Sequence, residues 1–469
     1  MSGSPSALLL RGGELVFPNR VAKGDLLIEG EKIARIAPSI EPEGLYPQPE
    51  TIDCAGLLVF PGFIDAHTHF GLGEGEARTA DGFFEGSAAA AGGGVTCFVD
   101  FADQLPGKSL LQGSLTRIEE AADAVIDYTL HQGIYRFHPG LEKEIDELAE
   151  FGVRAAKLFT TYKQFGVCLK SEDWLPVLDI CAKRKILPAV HAEDDAVIEA
   201  IEKRLLAGGL VPDASMHGTL RPDIAEASAI LACGHTALSC GSPLYFVHVS
   251  SRLGLQAIRG LRQKGLKVIA ETAPHYLLLT AARLAGPEGA LALMTPPLRA
   301  DADRLALWDG FVIKEIQVLA TDHCSYTEAQ KKAPSDCRAI PAGVPGTGEA
   351  ASLFFANYPG TRNEKAQALC SVFSENPARI FGLWPRKGSL AAGSCADIAL
   401  FDPEASGIVD RSGIRTAAGY SPYEGLPYFG KAVLTISRGR VVAKNGDFVG
   451  EKGRGKFTPC GPSSVFGEG

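Results

Sequence analysis

Residues 61–69 read PGFIDAHTH, an apolar run that ends in His67-Thr68-His69. Side chains two apart on a strand share a face, so both imidazoles can address one ion, and imidazole suits Zn²⁺, Ni²⁺ and Fe²⁺. Standing alone, such a pair reads first as two hydrogen-bonded surface or core histidines. It does not stand alone: residues 189–193 (AVHAE) and 246–250 (FVHVS) put His191 and His248 at the ends of further apolar runs, and residues 319–323 (LATDH) put Asp322 in the matching place. Four of the ten histidines, with one aspartate, therefore close strand-like segments. Brought to one point, they describe a metal site. Lys157, in AAKLFTTY, is the odd member: an ammonium repels divalent cations, and the plain reading of a lysine in an apolar run is a stem that carries its charge out to a rim.

For these residues to meet, their segments must end on one face. The runs 62–67, 96–100, 155–159, 187–191, 244–248, 268–271 and 318–321 read as strands, with one more expected within 125–130 or 133–137. Helical segments are expected over 83–90, 114–127, 142–151, 174–185, 195–207, 223–233, 254–264 and 364–373. This alternation means βα units and a mostly parallel sheet. Nearly every strand ends on an ionisable residue (His67, Asp100, Lys157, His191, His248, Glu271, Asp322), which favours a closed (β/α)₈ barrel, whose strand ends surround one cavity, over an open sheet that spreads them along a line. Both chain ends carry a different texture. Short strands are expected at 8–10, 15–17, 25–28 and 32–36, with turns at 12–13 and 29–30, and again at 396–401, 432–437 and 441–444. Neither set can bury a core by itself, so residues 1–58 and 385–469 are expected to form one small β-domain beside a catalytic barrel over 59–384.

Composition sets the outer limits. The 469 residues are 46% hydrophobic and 22% charged, enough apolar surface for a large core and far from the composition of a disordered chain. Lys and Arg number 46 against 55 Asp and Glu, so no basic surplus exists for a nucleic acid. There is no leader-like amino-terminal segment and no apolar run of the ~20 residues a membrane span needs, which makes the cytoplasm the expected location. The eleven cysteines form no Cys-x-x-Cys pair and read as reduced, buried side chains.

The ordered set PGFIDAHTH, AAKLFTTYK, HAED, HVS, ETAPHYLLLT, PPLR, TDHC, NPARIFGL, KGSLAAGSCADIALFD and SPYEG resembles the cyclic amidohydrolases of the hydantoinase and dihydropyrimidinase group, over essentially the whole chain. The resemblance implies a (β/α)₈ barrel with a small β-sandwich made by both ends, a homotetramer or homodimer, and a binuclear centre, usually of Zn²⁺. In it His67, His69 and Asp322 would hold the more buried ion, His191 and His248 the more exposed one, and Lys157, carboxylated on its nitrogen, would bridge them. Asp322 would also shuttle the proton, and Tyr162 would steady the oxyanion. Thr295 stands where the group usually has a serine that contacts the ring amide. Ala342 stands in IPAG where it usually has an asparagine, whose main-chain carbonyl receives a substrate N–H. The loop 71–78 (GLGEGEAR) departs furthest, with Gly71 in place of an aspartate.

The expected substrate is thus a cyclic ureide or imide, a 5-substituted hydantoin or a dihydropyrimidine. Allantoinase and dihydroorotase are the alternatives within the same superfamily. A carboxylated substrate needs a cationic clamp, and the 71–78 loop offers one Arg78 amid Glu74 and Glu76. A non-catalytic scaffold relative would lack part of the ligand set, which is complete here. Among the remaining features, Gly92–Gly94 is expected to allow tight packing, Arg299 and Arg379 to form rim ion pairs, and Glu271 and His275 to orient metal ligands.

Overall fold

The structure is a computed structural model that describes residues 7–43, 45 and 48–467. The outermost parts of the expected β-domain, residues 1–6 and 468–469, lie outside the described residues. Five amino-terminal strands come first: β1 (Ala7–Phe17), β2 (Arg20–Glu29), β3 (Lys32–Ala37), β4 (Glu50–Asp53) and β5 (Leu58–Pro61). Eight follow as the barrel: β6 (Phe63–Asp65), β7 (Val95–Ala102), β8 (Asp127–Gly133), β9 (Ala155–Phe159), β10 (Leu187–His191), β11 (Leu244–Phe246), β12 (Val268–Thr272) and β13 (Val318–Leu319). Four close the chain: β14 (Ile398–Ile408), β15 (Pro427–Ser437), β16 (Arg440–Lys444) and β17 (Asp447–Phe448).

Strands β6 to β13 are parallel and adjacent in chain order. Their residues are buried almost without a break, because helices cover the outer face and side chains fill the inner one. The ring is drawn together where β13 returns to β6. Asp65 accepts from the Thr321 amide (2.9 Å) and hydroxyl (2.6 Å), and the His69 amide donates to the His323 carbonyl (2.8 Å). The seam is thus stitched beside His67, His69 and Asp322.

The other nine strands make one mixed sheet in the order β17-β16-β15-β14-β5-β1-β2-β3, with β4 on β1. Leu10, Leu26, Ile28, Val59, Ile398, Leu400 and Ile436 share one apolar core, so the two chain ends bury each other. Two local expectations are corrected. Gly12–Gly13 is no turn but a register shift inside the single strand β1, because β2 pairs along its whole length. The helix expected over 114–127 is Leu110–Glu120, started by a Ser109/Gln112 capping box, and the apolar residues 125–126 lead into β8. Among the described residues no helix is long and apolar enough to cross a membrane.

Candidate metal centre

Three of the ligand candidates lie past the laddered part of their strands. His67 follows Asp65, His248 follows Phe246 and Asp322 follows Leu319, so each leaves the pleat to turn inward. His248 (φ 38°) and Asp322 (φ 50°) have left-handed backbones, as does Tyr162 (φ 70°). Non-glycine residues adopt this conformation at a cost and are held there by surrounding structure.

His67 Nε2 lies 3.2 Å from His69 Nε2 and 3.2 Å from Asp322 Oδ1, and His69 Nε2 is 3.3 Å from the same oxygen. One donor atom each from His67, His248 and Asp322 fall within 4.8 Å of one another. The His248 ring stands 4.6 Å from that of His191 and 5.4 Å from that of His67, and its buried Nδ1 has no partner among the described residues. Lys157 is buried, its Nζ over the rings of Phe101 (4.7 Å) and Phe159 (5.1 Å), with no carboxylate in salt-bridge range among the described residues. It reaches no rim.

Electrostatics fit a cation. Burial, reinforced by Lys157, holds the His67 imidazole well below its ordinary value, and burial with His191 does the same for His248, so both rings are neutral and carry a free lone pair. Burial pushes Asp322 up, yet His67, His69 and His248 together keep it well below the carboxylate range. Burial pulls Lys157 down to about 8. Several imidazole nitrogens and a carboxylate oxygen aimed at one point form a donor set for a borderline divalent metal.

The groups behind the ligands were partly foreseen. Glu271 accepts from His67 Nδ1 (2.8 Å), Tyr245 Oη (2.5 Å) and the His248 amide (2.9 Å), which orients His67 as expected. His275 does not share that role: neither ring nitrogen has a partner among the described residues. Its packing against Tyr276 at 4.2 Å keeps it an aromatic core side chain. Sequence reading missed Glu193 and Arg221. His191 Nε2 donates to Glu193 (2.8 Å), leaving Nδ1 for a ligand, and Arg221 clamps Glu193 through Nε (3.1 Å) and Nη2 (2.7 Å). Glu193 stands two residues after His191, the same spacing as in His67-Thr68-His69, and that was the available signal. Arg221 lies far away in sequence and offered none.

Around this centre Tyr162 sets its ring 5.1 Å from that of His191, with the Arg221 guanidinium 5.4 Å from its centroid and its hydroxyl toward Thr295. Burial holds the phenol above its ordinary value, against the pull of Arg221, so it remains an O–H donor. Thr295 Oγ1 lies 3.3 Å from His217 Nε2, and Ala342 is half-buried between Pro341 and Gly343. Arg379 pairs with Glu375 (2.8 Å) as expected, whereas Arg299 is buried and donates to Ser250 Oγ (3.1 Å) and the Arg221 carbonyl (2.6 Å), with no rim acid in reach among the described residues.

Residues 58–442 match the profile of a family described as the Amidohydrolase family. The chain belongs to it. Within that family it falls in the hydantoinase and dihydropyrimidinase group. It is 36% identical over 455 residues to the D-phenylhydantoinase of Escherichia coli, covering 96% of this chain and 97% of that one. The dihydropyrimidinase of Brevibacillus agri superposes with a TM-score of 0.92 at 31% identity, over 97% of this chain and 99% of that one. An L-hydantoinase (dihydropyrimidinase) from Arthrobacter aurescens gives 0.85 at 27%, over 96% and 99%. Amidohydrolases sharing this architecture thus include proteins named for opposite hands of substrate.

Proposed function

We propose that this amidohydrolase opens the amide bond of a cyclic ureide, either a 5-substituted hydantoin or a dihydropyrimidine, at a binuclear centre. The carrying observation is the convergence of His67, His69, His248 and Asp322, with Lys157 buried beside them. His67, His69 and Asp322 would hold one ion and His191 and His248 the other. Lys157, a buried ammonium with no carboxylate in salt-bridge range among the described residues, would join them as its N-carboxylate. Two such ions, Zn²⁺ by the donor chemistry, would supply Lewis acidity toward the scissile carbonyl and lower the pKa of water.

The chain's own groups supply the rest. Asp322 takes the proton of the attacking water and returns it to the leaving ring nitrogen as general acid. The neutral Tyr162 phenol donates where negative charge develops on the carbonyl oxygen. The Thr295 hydroxyl and the Ala342 carbonyl hold the ring's –CO–NH–CO– edge, and residues 71–78 border its substituent. The protein is assigned to the cytoplasm, since all eleven cysteines are unpaired, and to a homodimer or homotetramer by its resemblance to the hydantoinase and dihydropyrimidinase group.

The deciding experiment is elemental analysis followed by kcat/KM for hydantoin, 5-substituted hydantoins, dihydrouracil, allantoin and dihydroorotate on one zinc-loaded preparation. Two metals per chain and a preference for neutral rings are expected. A preference above about tenfold for allantoin or dihydroorotate overturns the substrate assignment. No turnover of any ring by metal-replete protein overturns the reaction.

A further inference from the structure

Three lysines are buried among the described residues: Lys157, Lys331 and Lys387. Lys157 sits in the metal centre, and Lys387 lies between two carboxylates, Asp127 (2.8 Å) and Asp397 (2.7 Å). Lys331 has neither explanation. It is fully buried on the short helix Glu328–Lys332, with no acid in salt-bridge range among the described residues. Its Nζ instead donates to three main-chain carbonyls, those of Leu293 (2.6 Å), Pro341 (2.8 Å) and Gly343 (2.9 Å). An ammonium without a counter-ion is costly to bury, so a fold that keeps one uses its charge-assisted hydrogen bonds to fix something.

What it fixes is the meeting of two segments. Leu293 precedes Thr295 by two residues, and Pro341 and Gly343 flank Ala342. The Gly343 amide donates to the same Leu293 carbonyl (3.1 Å), so the segments are joined both directly and through Lys331. Gly343 has φ 150°, and a Cβ there would lie 2.5 Å from the Cys324 carbonyl; the Cys324 amide in turn donates to the Val344 carbonyl (3.0 Å). The segment 341–344 is therefore threaded between Lys331 and the strand end that carries Asp322. All three N–H groups of the ammonium are used, and the Ala342 carbonyl, between two carbonyls turned to Lys331, is left without a donor among the described residues. Burial pulls Lys331 down to about 7, against a small opposing pull from Cys324.

We propose that Lys331 is the positioning residue for substrate recognition, tying residues 293–295 to 341–343 so that the Thr295 hydroxyl and the free Ala342 carbonyl meet the ring's imide N–H edge in fixed register. This rests on the hydrolase reading above. It makes Lys331, which touches no substrate, a determinant of specificity for rings that carry that N–H.

The test compares wild type with Lys331→Met on dihydrouracil and on its N3-methyl derivative, which lacks the N–H, alongside metal content. The variant is expected to keep its metal and to lose about tenfold or more in kcat/KM for dihydrouracil, chiefly through KM. The wild-type preference for N–H over N-methyl should shrink by a similar factor. An equal loss on both rings, with the preference intact, means a merely structural lysine and overturns the proposal. If the Met variant does not fold, Lys331→Gln, which retains two of the three donors, should give an intermediate preference. A wild-type complex in which the ring N–H does not reach the Ala342 carbonyl overturns the proposal without any variant. Wild type that opens neither ring fails the hydrolase reading itself, a separate outcome.

Discussion

A single side chain, Glu271, holds the state of the proposed centre more than its distance from the substrate suggests. Its two oxygens accept from His67 Nδ1, the Tyr245 hydroxyl and the His248 amide. The first contact fixes the tautomer in which Nδ1 carries the proton and Nε2 faces His69 and Asp322. Burial pushes Glu271 up to about 8, and the hydrogen bonds from Tyr245 and His248 oppose that push, so the carboxylate depends on its donors. Glu271→Gln replaces one acceptor oxygen with an N–H₂ among donors. We expect folded protein with kcat/KM down by about 10–100-fold and a metal content below that of wild type after dialysis, read by elemental analysis. Full metal retention with unchanged activity would remove Glu271 from this role.

At the scale of elements, the alternation of apolar run and helix placed seven of the barrel strands and left β8 between two alternatives, 125–130 and 133–137, because parallel strands buried on both faces are written as short apolar runs bounded by turns. The site was legible for a related reason: His67, His191, His248 and Asp322 interrupt those runs at their carboxyl ends. What the sequence hid lies off the strands. Arg221, Lys331 and the carbonyls of Leu293, Pro341 and Gly343 act through contacts remote in sequence, and no periodicity marks them. Equally hidden was the floor beneath the centre. Phe381, at the end of the helix Asn376–Ile380, lies 5.1 Å from Tyr245 and 4.8 Å from His131 and packs with Val99, Ala155, Leu187, Ala189 and Val318 inside the barrel. Tyr245 bonds Glu271, which bonds His67, so this ring supports the proposed ligand His67 from below. Phe381→Ala should cost about 3–5 kcal/mol through the cavity it leaves. It should also weaken metal retention, whereas a substitution at the exposed Phe165 should not. Denaturant unfolding and metal analysis of the pair decide the point, and equal metal retention in both would break the proposed chain of support.

The whole molecule is joined by a buried charge cluster at the meeting of barrel and mixed sheet. Asp127 opens β8 of the barrel, Asp397 immediately precedes β14 of the sheet, and Lys387 bridges the two. Arg438, between β15 and β16, adds its Nε to Asp127 (3.0 Å) and its amide to Asp397 (2.8 Å). Burial alone would raise Asp127, but Lys387 and Arg438 hold it below its ordinary value. Burial would lower Lys387, and Asp397 with Asp127 raises it instead. The depressed carboxylate contributes stability that is present above its unfolded value of about 4 and is lost as the pH falls through the folded one. The raised ammonium contributes stability that is complete below about 10.4 and is lost only as the pH climbs past its folded value. Between those limits the clamp is intact. Lys387→Met leaves two buried carboxylates facing each other with one cation fewer, and should destabilise by about 3–5 kcal/mol at neutral pH. Because protonation relieves those carboxylates, the gap in thermal midpoint between wild type and variant should narrow as the pH is lowered from about 7 to about 4 and below. A gap that stays constant over that range would show that Lys387 stabilises the junction by packing, and that the charge cluster is incidental to holding barrel and sheet together.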